Sequence, residues 1–152
     1  MSQKDGSVDI PELLCSVELF ESLTDADLAE VAALCDERIY AAGDVLARQG
    51  EEGTELYIVS EGLVEVTVRE RSGPRVVVNL GVGQLIGEMS LVDRGPRSAT
   101  VRVVQTPTIV QAIQHDAFHE LCQRNTRIGY LVMLNLAADL SFKLRHRHLS
   151  GE

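Results

Sequence analysis

The apolar positions change period twice along the chain, and the changes divide it into helix, sheet and helix. Near the start, Pro11 suits the first turn of a short helix running to about Val17. Leu23-Thr24-Asp25-Ala26-Asp27-Leu28 predicts a second helix, with Thr24 as N-cap, Asp27 at the third helical position and Leu23 stapled on Leu28. Leu28, Val31, Ala32 and Leu34 share one face of it, and it should end near Asp36. From Arg38 to Ile113 the texture becomes short β-branched runs punctuated by glycine, as in an antiparallel sandwich or roll. Val64, Val66 and Val68 alternate with Glu65, Thr67 and Arg69, a strand with one wet face. A turn at Arg71-Ser72-Gly73-Pro74 leads into Arg75 to Leu80, where Val76-Val77-Val78 is apolar on both faces and is expected to be covered on both. Thr100 to Val104 and Thr108 to Ile113 complete the set, separated by Pro107, which a central strand would reject. The helical period returns at Asp116 to Gln123, with Phe118, Leu121 and Cys122 inward, and Asn125 can cap a long helix to about Leu149.

The expected class is therefore α+β: an antiparallel β-roll or jelly-roll barrel of about eight strands, flanked by N-terminal helices and a long C-terminal helix. That last helix carries two apolar stripes, Met133, Leu136 and Leu140 on one and Tyr130, Leu134, Ala137, Ser141 and Leu144 on the other. Two stripes imply two partners: the barrel, and a second copy of the helix in a homodimer. A single wide face packed within one chain is the alternative.

The stretch from Gly83 to Val101 holds the groups that a phosphate-bearing ligand requires. Gly83 and Gly87 permit close backbone approach and open the amides of Gly87, Glu88 and Met89. Met89 to Val92 can form a helical turn with unpaired N-terminal amides. Arg97 adds a guanidinium able to bind two phosphate oxygens at once, and Ser98 follows with a hydroxyl. Glu88 only accepts hydrogen bonds when ionised, so beside an anion it must reach past it to donors such as sugar hydroxyls. Together one acceptor and one cation describe a ribose phosphate. The bland alternative is that Glu88 and Arg97 pair with each other and hold a loop.

The run Gly-Gln-Leu-Ile-Gly-Glu-Met-Ser-Leu from Gly83, followed by Pro-Arg-Ser-Ala-Thr-Val from Pro96, resembles the phosphate-binding cassette of the cyclic-nucleotide-binding domain family. That module is shared by catabolite-activator-type regulators, cyclic-nucleotide-dependent kinases and cyclic-nucleotide-gated channels. Leu19-Phe20-Glu21-Ser22-Leu23-Thr24, Tyr40-Ala41-Ala42-Gly43-Asp44-Val45-Leu46, Arg48-Gln49-Gly50 and Leu56-Tyr57-Ile58-Val59-Ser60-Glu61-Gly62 extend the likeness to about Leu19–Leu149. It implies that Glu88 binds the ribose 2′-hydroxyl, that Arg97 holds the cyclic phosphate, and that Ser98 and Ala99 add phosphate or base contacts. The implied ligand is cAMP or cGMP. Serine at Ser98 can favour guanine yet also occurs with adenine, and cAMP is slightly preferred here. The implied task is a non-enzymatic sensor that signals by movement of its C-terminal helix to an effector not visible in the sequence. The competing class is an interaction module with a degenerate pocket that dimerises or docks through that helix.

Composition narrows the classes further. A chain of 152 residues is most simply one domain, placed at 10–149, with a mobile segment at 1–9 and a tail at 150–152. The formal charge of -9 argues against a generalised nucleic-acid surface, so an anion must be recognised in a small enclosed site. The sequence stops at Glu152 without residues for a winged helix-turn-helix, and no direct DNA contact is expected of it. Without an apolar run of the ~20 residues that span a bilayer or a basic leader, a cytoplasmic location is expected. Cys15, Cys35 and Cys122 lack metal-binding or disulfide spacing and are expected as small buried apolar residues, so no metal is expected. The pairs His115/His119 and His146/His148 lack a third ligand and are expected to be solvated. The basic run Lys143 to His148 suits the negative end of a helix dipole, the alternatives being a cap over a bound base or the remnant of a linker to a further domain.

Overall fold

The computed structural model describes residues 9–149, and the segments at 1–8 and 150–152 lie outside the described residues. Asp9, expected within a mobile leader, instead caps α1 (Ile10–Cys15) by accepting from the Glu12 amide at 3.2 Å. A 3-10 turn at Glu18–Phe20 links it to α2 (Asp25–Ala32). The reciprocal cap expected there is formed: Thr24 Oγ1 accepts from the Asp27 amide at 3.1 Å and Asp27 Oδ2 accepts from the Thr24 amide at 2.9 Å. This helix stops at Ala32 rather than near Asp36, because Asp36 already opens β1 (Asp36–Tyr40) in register with Ala112. Ladder pairing has claimed the backbone groups that a longer helix would need.

The remaining strands are β2 (Val45–Ala47), β3 (Glu55–Glu61), β4 (Val64–Glu70), β5 (Gly73–Leu80), β6 (Leu85–Ile86), β7 (Thr100–Val103) and β8 (Thr108–Gln114). They form two antiparallel sheets in the orders β1-β8-β3-β6 and β2-β7-β4-β5, the eight-stranded roll the sequence predicts. Strand β3 is buried on both faces. Leu56 and Ile58 pack toward the helices, whereas Tyr57 and Val59 pack with Val64, Val101 and Val103 of the opposing sheet. Val76, Val77 and Val78 correct the sequence reading: they are 56%, 47% and 44% exposed. Strand β5 is a sheet edge, paired only with β4, so an all-apolar triplet here marks an uncovered margin rather than a doubly covered strand.

Helix α4 (His115–Arg124) and the 24-residue α5 (Thr126–Leu149) close the helical side. Asn125 Oδ1 accepts from the Ile128 amide at 3.3 Å, and Met133, Leu136 and Leu140 pack on the helical core. The second stripe is bare, with Tyr130, Leu134 and Leu144 exposed. An ion pair invisible in the local pattern ties the two ends together: Arg127 on α5 donates from Nη2 to Asp27 Oδ1 at 2.6 Å, and from Nη1 to Oδ2. Asp27 is 1% exposed, and the Arg127 hydrogen bonds hold its carboxyl down at about 2.

The three cysteines depart from their expected burial: Cys15 is exposed, and only Cys35 and Cys122 pack partly against the core. Burial raises the Cys35 thiol to about 11. His115 departs in the other direction, since at 1% exposure it is a core residue and not a solvated one.

Candidate functional site

Close packing around one arginine organises the site. Arg97 lies just past an isolated β-bridge between Glu52 and Pro96, with its amide donating to the Glu51 carbonyl at 2.7 Å and its own carbonyl accepting from the Gly50 amide at 2.9 Å. Its side chain threads between Gly53 and Gly87: a Cβ added at either glycine would overlap the guanidinium. Gly87 also needs glycine for its φ of 91°, whereas Gly53 does not use the left-handed region and is glycine for space alone. Nη2 donates to the Glu55 carbonyl at 2.8 Å, and Cζ sits 5.8 Å from the centroid of the Tyr57 ring. Nη1 is buried without a hydrogen-bond partner among the described residues.

Behind Arg97, a polar network fixes the strand it leans on. The Glu55 carboxylate is bidentate to Arg38, at 2.9 Å and 2.6 Å, and accepts from Tyr57 Oη at 2.9 Å and from Gln114 Nε2 at 2.6 Å. The Arg38 hydrogen bonds hold the Glu55 carboxyl below its usual range, while burial, reinforced by Glu55, pushes the Tyr57 phenol up to about 12. Arginine on β1, glutamate and tyrosine on β3 and glutamine on β8 thus lock the registry of three adjacent strands beneath the guanidinium.

In front of Arg97 lies a cavity of about 1090 Å³. Its inner wall is apolar, with Ala47, Val66, Val78 and Val101 from the second sheet and Ile86 from β6. The segment from Gly83 to Ala99 forms its rim and contains α3 (Ser90–Asp93), the helical turn expected within Met89 to Val92. On the far side α5 contributes Asn135, Asp139 and Lys143, the last two joined by an ion pair of 2.9 Å. Asn135 is spent on the chain, since its Nδ2 donates to the carbonyls of Leu19 and Glu21.

All six residues singled out from the sequence, Gly87, Glu88, Met89, Arg97, Ser98 and Ala99, line this cavity. Glu88 and Arg97 do not pair with each other; Glu88 forms no ion pair among the described residues. Sequence reasoning missed Gly53, the Arg38–Glu55 pair, Asn135 and Asp139, whereas Lys143 belongs to the basic run for which a cap over the bound base is one alternative. The one local signal was a glycine and a lone glutamate immediately before the apolar run Leu56 to Val59.

The family model for the cyclic nucleotide-binding domain matches residues 37–125, more than half of the chain. The chain belongs to the cyclic nucleotide-binding domain family. As such a domain it is similar to a cAMP-dependent protein kinase regulatory subunit of Mycosarcoma maydis, 38% identical over 90 residues, or 59% of this chain and 17% of that protein. Among solved structures it resembles the N-terminal domain of a transcriptional regulator from Streptomyces coelicolor A3(2), with a TM-score of 0.80 at 29% identity, over 89% of this chain and 94% of that one. It also resembles the Thermus thermophilus catabolite activator protein, with a TM-score of 0.77 at 34% identity, over 88% of this chain and 61% of that one. The domain spans only 17% to 31% of the length of three curated relatives that it matches. No metal-binding cluster occurs among the described residues, and no described helix is long and apolar enough to cross a membrane.

Proposed function

We propose that this chain is a non-enzymatic sensing module that binds a cyclic nucleotide in the cavity bounded by the cassette. The observation that carries the reading is the state of Arg97. Its guanidinium is immobilised between two glycines and a carbonyl, with Nη1 buried and unpaired beside an apolar cavity. A buried cationic donor without a partner is costly, and a singly charged cyclic phosphate is the compact anion that would satisfy it. Glu88, on the same cavity but not paired to Arg97, is free to accept from the ribose 2′-hydroxyl, and Gly87 and Met89 flank it. Ser98 and Ala99 add phosphate or base contacts. The apolar wall of Val66, Val78 and Val101 suits a purine face.

The slight preference for cAMP over cGMP rests on the Ser98 position alone. Signalling is assigned to α5, which touches the cavity through Asp139 and Lys143 and presents a bare apolar stripe outward. That stripe supports homodimerisation or docking to an effector, in the cytoplasm. Isothermal titration of the purified chain with cAMP and cGMP tests the reading. Saturable binding of at least one is expected, with Glu88→Ala weaker by about 1 to 3 kcal/mol and Arg97→Ala weaker still. Absence of saturable binding to both nucleotides, with Arg97→Ala indistinguishable from the parent, overturns it.

A further inference from the structure

His115 is the first residue of α4 and packs against the back of the cassette. Its amide donates to the Thr54 carbonyl at 2.9 Å, and its ring is 1% exposed. Ring nitrogens lie 3.3 Å and 3.5 Å from Ser90 Oγ, which itself donates to the Gly87 carbonyl at 3.0 Å. Through Ser90 the His115 ring is therefore linked to one peptide, the one that precedes Glu88. Gly87 also abuts the Arg97 guanidinium. A single glycine peptide thus separates a buried imidazole from the cation that faces the cavity.

Building on the site reading above, we propose that His115 is a positioning residue for the Gly87–Glu88 peptide, and that anion binding beside Arg97 is coupled to proton uptake by its imidazole. The charged groups around the ring are Arg97 and Arg94 from the cassette and His119 and Asp116 from α4, Asp116 being paired with Arg94. On β3 the nearby Glu55 carboxylate is committed to Arg38. Burial chiefly, and then the Arg97 charge, depress the imidazole below the ordinary histidine range, so it is neutral at pH 7 in the free protein. A phosphate that neutralises Arg97 removes one of those causes and raises the imidazole's proton affinity. The ligand-bound form then holds more protons, and linkage requires affinity to rise as pH falls through the window between the two values. The cyclic phosphate stays singly ionised throughout that range, so it does not contribute the slope.

The experiment is titration calorimetry of the intact chain with cAMP and cGMP at intervals from about pH 8 to about pH 5, in buffers of differing ionisation enthalpy. The parent should bind progressively tighter toward the acidic end, with fractional proton uptake, by no more than the roughly tenfold change that a one-unit rise corresponds to. His115→Gln should keep binding but flatten the profile and abolish the uptake, while His119→Gln should preserve both. Should His115→Gln fail to fold, the imidazole resonances of the parent, titrated by NMR with and without saturating nucleotide, read the same quantity. A flat profile in a parent that binds, a slope that survives in His115→Gln, or an imidazole titration unmoved by nucleotide overturns this inference alone. No binding by the parent at any pH overturns the site reading beneath it.

Discussion

Replacing Gly53 by alanine separates what the roll needs from what the site needs. Gly53 is buried, does not occupy the left-handed region, and the three atoms nearest to a Cβ there are Cζ, Nε and Nη1 of Arg97, all close enough to overlap it. The backbone conformation therefore accepts alanine, and the gain of about 0.4 to 1 kcal/mol from fewer unfolded conformations roughly offsets the lost Arg97–Glu55 hydrogen bond, worth about 1 kcal/mol. The displaced guanidinium, by contrast, loses the 2.8 Å bond to the Glu55 carbonyl and its alignment with the cavity. Two charge-assisted hydrogen bonds to an anion, at about 1.5 kcal/mol or more each, correspond to about 3 kcal/mol, or an affinity loss of about 100-fold. Urea denaturation followed by nucleotide titration measures both sides. The expected result is a midpoint close to the parent's with binding weakened about 100-fold. A stable Gly53→Ala that binds nucleotide as the parent does would refute the claim that this glycine exists to make room for Arg97.

Three further outcomes follow from the same geometry. Arg38→Met leaves the Glu55 carboxylate buried without its bidentate partner, which should cost about 3 kcal/mol or more in urea denaturation; a loss under about 1 kcal/mol would mean that water replaces the arginine. Asp27, with its carboxyl depressed to about 2, contributes about 2 kcal/mol that is fully present above about pH 4 and is lost as pH falls through about 2, so Asp27→Asn should flatten the acid limb of the stability profile. Leu134→Glu, on the exposed stripe of α5, should leave urea stability nearly unchanged and shift sedimentation toward monomer; an unchanged sedimentation profile would remove the stripe as a self-association seam.

Features governed by near neighbours along the chain are legible in the sequence itself. Thr24 and Asp27 cap α2 because their roles need only a spacing of three residues, and the alternation of Val64, Val66 and Val68 marks β4 because the pleat has a period of two. The rim of the cavity, Gly87 to Ala99, is likewise a local segment. Pairings across the fold are not legible in this way. Arg38 meets Glu55 only because β1 and β3 both flank β8, and Asp27 meets Arg127 only because α5 returns over α2. Gly53 reads as an ordinary turn glycine until Arg97 is placed against it. Val76 to Val78 mislead for a related reason: hydrophobicity reports a preference for burial, whereas strand order decides whether any element is available to provide it.

That bare edge carries a consequence for how molecules of this kind behave in company. Strand β5 offers half-exposed valines to any chain that aligns with it, and Pro74 and Arg75 blunt only its first end. Mutual repulsion between bodies of formal charge -9 is then a principal barrier to edge-to-edge stacking. Colloidal behaviour should therefore turn on screening and acidity, with self-association growing at high ionic strength and as the medium approaches the isoelectric point near 4.9.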